Sequence, residues 1–312
     1  MSNSQLCALS TDLANLVTKI SRLRLIKSMK TYPYHLVNVF AETHFGGNPL
    51  AVFPHADGLN DDQMQTIAQQ FNLSETVFLR APTCRHGVAA AADLRIFTPS
   101  YELPMAGHPT LGAAFVLARD TTDATTFYLN TQAKALAIHV HDQQVTLRLA
   151  HFSQRTCLAT PRELADMTGL QPDDIAAQAL WLDTGTCQLL LAARSKTALY
   201  RAQIDKNRLA QICQAAGELT KLCLWYEDND QIFVRFFTLQ NNALLQDSGT
   251  GSACANLGAY LILQGQYPSQ KRIHQGDDIG RPNRLSLMID AQQNIYVGGH
   301  VIEVGRGEFY VP

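Results

Sequence analysis

The feature of this chain that most constrains its fold is an internal repeat at a separation of about 140 residues. Three pairs of segments share this spacing: residues 47–52 with 185–190, 94–98 with 234–238, and 108–114 with 247–253. Solenoid proteins need three or more units with periods of about 20 to 50 residues, so a single long repeat does not belong to that class. The repeat predicts two domains of similar topology that face each other across a cleft.

The length supports this division, because 312 residues is about twice the size of a typical single domain. We place the first domain at residues 30–148 and the second at residues 149–312. The last strand, at about residues 298–312, is a candidate to pair back with the first domain. The remaining residues, 1–29, form an N-terminal extension that need not belong to the fold.

This extension has the pattern of a basic amphipathic helix. Apolar residues recur at helical spacing from Leu6 to Leu23, lysines and arginines lie between them, and Asp12 is the single acid before Met29. Its composition is similar to that of a transit peptide. However, Met29 stands just before the first clear strand and could itself be the first residue of the native protein. A helix docked on the surface and a leader without function both remain open.

Composition and charge exclude several classes of function. Hydrophobic residues make up 46% of the chain and the net charge is −2, so the sequence predicts a globular protein without affinity for nucleic acid or an acidic membrane. No apolar run approaches the roughly 20 residues of a membrane span. The seven cysteines include no CxxC and no zinc spacing, which predicts reduced thiols in the cytoplasm and no metal site. A small neutral or zwitterionic ligand is the expected partner.

In each half, a loop of small residues opens a helix that is apolar on nearly every face, expected at residues 110–118 and 250–263. Such helices have to be buried, and their N-termini then point into the cleft. Unpaired N–H groups and the positive end of the helix dipole bind anions there, and Gly249 and Gly251 permit close approach of a ligand. Alternatively, these glycines serve helix packing alone.

Three titratable residues stand next to these loops. His108 and Asp247 are expected at equivalent positions of the two halves, and Glu75 lies just before an apolar strand. Taken singly, they could be a structural histidine, a helix cap and a solvated glutamate. Taken together, they indicate proton transfer, because apolar neighbours such as Leu73 and Phe78 would raise the pKa of Glu75 towards neutrality.

Four segments carry a resemblance to a known family: VNVFAETHFGGNPLAVF, QFNLSETVF, LRIFTPSYELPMAGHPTLGAA and QDSGTGSACANLGAYL. In this order and spacing they resemble the PhzF family of phenazine biosynthesis, whose fold is similar to that of diaminopimelate epimerase. The resemblance covers residues 34–312. It implies an α+β fold of two similar epimerase-like domains, each a curled sheet around a central helix, with the active site in the cleft between them.

The resemblance also implies roles for individual residues. Glu75 would be the acid and base, assisted by His108, Asp247 and Ser252. Gly107, Gly249, Thr250 and Gly251 would bind the substrate. The implied function is a cofactor-independent isomerase that shifts a proton on a small cyclic or amino-acid-like carboxylate such as trans-2,3-dihydro-3-hydroxyanthranilate. No metal or organic cofactor is expected, and the implied assembly is a homodimer.

Two alternative functions compete with this one. Racemases of the same fold use two cysteines, but Ala106 and Ser248 stand at the matching positions here, and Cys254 lies one turn into a helix where a core role is expected. A binding or interaction protein that keeps the fold without its chemistry is the other alternative. The presence of Glu75 within the full motif argues against such a non-catalytic function.

Overall fold

The computed structural model describes residues 29–84, 86–121, 123–240 and 242–312. The amphipathic helix predicted in the N-terminal extension lies outside these residues. The described part of the chain contains no helix long and apolar enough to cross a membrane.

The described residues form a large mixed sheet and six α-helices. The strands are β1 Lys30–Val39, β2 Asn48–Phe53, β3 Thr76–Arg80, β4 Ala92–Phe97, β5 Glu102–Leu103, β6 Thr125–Asn130, β7 Ala135–His141, β8 Gln144–Leu149, β9 Ser153–Thr156, β10 Leu180–Asp183, β11 Cys187–Ala192, β12 Lys221–Asp228, β13 Gln231–Gln240, β14 Ala243–Asp247, β15 Ser269–Gln275, β16 Asn283–Ile289 and β17 Ile295–Val311. The helices are α1 Asp61–Phe71, α2 Gly107–Ala118, α3 Pro161–Thr168, α4 Lys196–Arg201, α5 Lys206–Ala215 and α6 Gly251–Leu263. Short 3₁₀ turns occupy Pro172–Asp174 and Asp277–Ile279.

The strands repeat one arrangement in the two halves of the chain. In the first half, β2 pairs with β3 and β4 with β6 in parallel, and β3 and β4 are antiparallel. In the second half, β11 and β12 are parallel, β13 and β15 are parallel, and β12 and β13 are antiparallel. The repeat seen in the sequence is therefore a repeat of strand order and direction.

The final strand, β17, pairs with two strands of the first half of the chain. Its first part, residues 295–300, pairs with β8, and its second part, residues 301–311, pairs with the whole length of β1. Both pairings are antiparallel. The end of the chain thus completes the sheet that the first strand began.

The two apolar helices lie at the centre of the molecule. Helix α2 packs against β1, β2, β3, β7 and β8, and α6 packs against β10, β11, β16 and β17. Most residues of both helices are buried, as the absence of a polar face predicts. Their N-termini meet closely, since a Cβ atom built on Gly107 would lie 3.7 Å from the Cα atom of Gly251.

The expected equivalence of His108 and Asp247 is wrong. Phe97 pairs with Glu102 in the first half, whereas its counterpart Phe237 pairs with Gln246. The hairpin of the second half is therefore four residues longer, and the offset of the repeat grows from 140 to 144 residues across it. With this offset, the counterpart of His108 is Ser252, and each is the second residue of its helix.

Candidate active site

A cavity of about 560 Å³ lies between the N-termini of α2 and α6. Glu75 reaches it from the start of β3, His108 from the first turn of α2, Asp247 from the end of β14 and Ser252 from the first turn of α6. The residues expected to bind or convert a substrate all line this cavity: Glu75, Gly107, His108, Asp247, Gly249, Thr250, Gly251 and Ser252.

Glu75 and His108 are close neighbours in the cavity. The Nδ1 atom of His108 lies 3.3 Å from the Oε2 atom of Glu75, and the two side chains are 6% and 18% exposed. Neither the Oε2 atom of Glu75 nor the Nε2 atom of His108 has a hydrogen-bond partner among the described residues. Buried polar atoms usually have a partner, so these two atoms are suited to meet a ligand.

Burial shifts the pKa values of this pair in opposite directions. Loss of solvation disfavours the carboxylate, and the nearby charge of Asp247 adds to this, so the pKa of Glu75 rises from 4.5 to about 8 although Lys221 partly opposes the change. The same loss of solvation lowers the pKa of His108 from 6.5 to about 3. At neutral pH both groups are mainly uncharged, and Glu75 is poised to exchange a proton near neutrality.

Asp247 is held by the side chains around it. The hydroxyl of Thr250 donates to its Oδ2 atom at 2.6 Å, and the Nδ2 atom of Asn48 donates to its Oδ1 atom at 3.2 Å. Burial raises the pKa of Asp247, although the hydrogen bonds from Thr250 and Asn48 partly offset that effect. Asp247 therefore presents a fixed acceptor to the cavity beside Glu75.

The donor groups of Thr250 are engaged within the site. Its backbone N–H donates to the Oε1 atom of Gln275 at 3.0 Å, and its hydroxyl is used by Asp247. The Nε2 atom of Gln275 donates in turn to the backbone oxygen of Asp247 at 2.9 Å. Thr250 therefore helps to hold the carboxyl group of Asp247 in place.

Sequence reasoning missed other polar residues of the site. Asn48, Gln188 and Lys221 line the cavity, and Gln275 holds residues that do. Asn48 also donates to the Gly249 oxygen at 2.9 Å, and Gln188 donates to the Ser252 hydroxyl at 2.7 Å. A signal was present for Asn48 and Gln188, because both lie in the faint repeat of residues 47–52 and 185–190. At the offset of 138 residues, Asn48 matches Thr186, which also lines the cavity, so a polar residue stands at or just before the start of this strand in both copies.

The described residues offer little support for a metal centre or for a thiolate base. No cluster of three or more histidine, cysteine, aspartate or glutamate residues that could hold a metal is found in the described part of the chain. Cys254 is buried in α6, and burial raises the pKa of its thiol well above the usual range, which disfavours a thiolate base. The polar side chains that line the cavity carry carboxyl, imidazole, hydroxyl, amide, ammonium and guanidinium groups.

Comparison with known proteins finds a matching family model and related isomerases. The family described as "Phenazine biosynthesis-like protein", PhzC-PhzF, matches residues 37–307. An uncharacterized isomerase from Pasteurella multocida is 49% identical over 282 residues, covering 90% of this chain and 95% of that protein. The trans-2,3-dihydro-3-hydroxyanthranilate isomerase of Pseudomonas chlororaphis is 31% identical over 283 residues, covering 88% and 98%.

A solved structure shows the same fold. The PhzF-family phenazine biosynthesis protein of Bacillus anthracis has a TM-score of 0.78 to this chain, with 90% of this chain and 99% of that one covered. The two sequences are 21% identical, so this likeness concerns the fold. It confirms the predicted α+β class.

Proposed function

Because the chain belongs to the PhzF family of isomerases, we propose that it moves a proton between two carbons of a small cyclic or amino-acid-like carboxylate, with Glu75 as acid and base. The observation that carries this proposal is the position of Glu75. Its carboxyl group is enclosed in the cavity, has a pKa raised to about 8, and lies 3.3 Å from an imidazole that stays neutral. A carboxylate in this setting is a strong enough base to act near neutral pH.

The proton shift is balanced within the substrate. The ionised Glu75 removes a proton from a carbon next to an unsaturated or carbonyl group, and the electron pair moves into the conjugated system. The neutral Glu75 then returns the proton at another carbon of that system on the same face, and the original carboxylate is regenerated. Nothing is oxidised or reduced, so the step needs no cofactor.

The remaining cavity residues serve binding and orientation. The unpaired N–H groups at the N-terminus of α6, with the Ser252 hydroxyl, suit the carboxylate of the substrate. Asp247 suits a substrate amino group, because its oxygens are acceptors held in place by Asn48 and Thr250. His108 can exchange a hydrogen bond with a substrate hydroxyl or carboxylate through its unpaired Nε2 atom.

The first substrate to test is trans-2,3-dihydro-3-hydroxyanthranilate, the compound named for the Pseudomonas chlororaphis relative. This molecule has a carboxylate, an amino group and a hydroxyl on a small unsaturated ring, which correspond to the three kinds of polar group in the cavity. A panel of cyclic amino acids is the second set of substrates to test.

The homodimer implied by the family stays a prediction.

The test is an assay in deuterated water that follows deuterium on substrate and product carbons by NMR. The wild type is expected to place deuterium on carbon while converting the substrate. Glu75→Gln keeps the shape of the side chain but removes the base, so we expect turnover to fall at least about a hundredfold with binding nearly unchanged. Glu308→Gln, a change at an exposed glutamate on β17, is the matched control and should keep full turnover.

Two results would contradict the proposal. One is a Glu75→Gln variant that turns over the substrate as fast as the wild type. The other is a wild type that binds trans-2,3-dihydro-3-hydroxyanthranilate or cyclic amino acids but never exchanges a carbon-bound proton. That result would favour a binding protein on the same fold.

A further inference from the structure

Lys221 is a cation in the cavity that the mechanism above leaves unused. It begins β12, is half-buried and lines the cavity with Glu75 and Asp247. Its ammonium group makes no hydrogen bond or ion pair with any described residue. A partly buried lysine without a partner is unusual, because removal of the charge from water is costly unless another group compensates for it.

The internal repeat relates Lys221 to Glu75. In the first half, the residue after Glu75 pairs with Phe97, and in the second half, the residue after Lys221 pairs with Phe237. Phe97 and Phe237 are counterparts in the repeat, so Glu75 and Lys221 are counterparts as well. The same structural position thus supplies a carboxyl group from one half of the chain and an ammonium group from the other.

The strand next to Lys221 connects it with the wall of the cavity at α6. Leu189 of β11 is in register with Leu222 of β12, and the strands are parallel. Gln188 and Lys221, each one position earlier, are therefore neighbours on the same face of the sheet. Gln188 is fully buried, donates to the Ser252 hydroxyl at 2.7 Å and leaves its Oε1 atom without a partner in the described chain.

Arg281 also lines the cavity, but its guanidinium group is already engaged. The Nε atom of Arg281 donates to the Gly47 oxygen at 2.7 Å, and one of its terminal nitrogens donates to the Oδ1 atom of Asn38 at 3.0 Å. Lys221 differs in that its ammonium group is free for a ligand. Its charge also acts on Glu75, whose pKa it lowers against the effect of burial.

We propose that Lys221 binds the carboxylate of the substrate and makes the cavity select anionic ligands over neutral ones of the same shape. The ammonium group acts together with Ser252, which Gln188 holds in the same wall of the cavity. Charge-assisted hydrogen bonds in a partly water-excluded site are about twice as strong as neutral ones, so this contact can determine specificity. The inference rests on the proposed function for the cavity being the substrate site.

The test compares a carboxylate with its amide in the presence and absence of the lysine. Anthranilate and anthranilamide differ mainly in charge, and their dissociation constants can be measured by calorimetry for the wild type, Lys221→Met and Lys221→Arg. Lys30→Met removes the same charge from an exposed position on β1 and is the matched control. Because binding is measured, the result does not depend on whether Glu75 moves a proton.

We expect Lys221→Met to weaken anthranilate binding about tenfold or more and to change anthranilamide binding less than about twofold. Lys221→Arg and Lys30→Met should retain the preference for anthranilate. Thermal melting checks that each variant folds, and Lys221→Gln replaces the methionine variant if that one does not. A wild type without preference for anthranilate would overturn the proposal, as would an equal loss for both ligands or no loss for either.

Discussion

Glu75 and His108 show how one environment gives two residues different protonation behaviour. Burial disfavours whichever form is charged, so it raises the pKa of the carboxyl group and lowers that of the imidazole. Both groups are then neutral at pH 7 and lie 3.3 Å apart without repulsion. Glu75 can release its proton near neutral pH and take it back at little cost, because its pKa of about 8 lies close to neutrality, whereas His108 stays neutral.

The raised pKa of Glu75 predicts a pH dependence of stability. Between 4.5, its ordinary value, and about 8, the folded protein binds a proton at Glu75 that the unfolded chain has released. The free energy of unfolding therefore falls as the pH rises through this window, and the contribution is fully present below pH 4.5. Glu75→Gln should remove roughly 2 to 5 kcal/mol of this fall between pH 5 and pH 9.

Urea unfolding of the wild type and Glu75→Gln at a series of pH values measures this difference. Glu308→Gln removes a carboxyl group from an exposed position and should follow the wild type at every pH. The prediction fails if the wild type and Glu75→Gln show parallel stability curves from pH 5 to pH 9.

At the scale of the elements, the central helices follow directly from the sequence. Helix α2 is apolar on all sides because strands surround it, and Gly112 lets β1 and β2 approach its backbone. A Cβ atom at Gly112 would lie 2.4 Å from a methyl carbon of Leu50 and 3.2 Å from methyl carbons of Val37 and Val39. All three of these neighbours are fully buried and have little room to move.

Gly112→Ala is accordingly expected to lower the free energy of unfolding by roughly 1 to 3 kcal/mol, although alanine favours helix in the absence of contacts. Gly305→Ala is the comparison, because a Cβ atom there meets nothing closer than 3.8 Å. That variant should unfold within about 0.5 kcal/mol of the wild type. Equal stabilities of the two variants in urea would contradict the packing described for α2.

A local signal also specifies the start of an outer helix. Asn60 is of a residue type that commonly caps helices, and its side chain accepts from the backbone N–H of Gln63 at the start of α1. Reasoning from local patterns failed for the repeat in the second half. A hairpin longer by four residues leaves the polar pattern of the loop almost unchanged, so matching His108 with Asp247 looked as good as the true match of His108 with Ser252.

At the scale of the whole molecule, the site exists only because the two halves assemble. Glu75 and His108 come from the first half, and Asp247, Ser252 and Lys221 come from the second. Motifs predicted which residues gather around the cavity, and their catalytic roles stay predictions. Lys221 could not be foreseen, since a lysine at the start of a strand is ordinarily solvated and only strand register places it opposite Glu75.

The raised pKa of Glu75 is therefore a property of the assembled molecule, and it is the central claim of this account. It can be measured by ¹³C NMR titration of protein labelled at the glutamate carboxyl carbons, with the signal of Glu75 identified by its loss in Glu75→Gln. We expect that signal to titrate with a pKa of about 8. A pKa near 4.5 would contradict the account, because Glu75 would then be an ordinary solvated carboxylate.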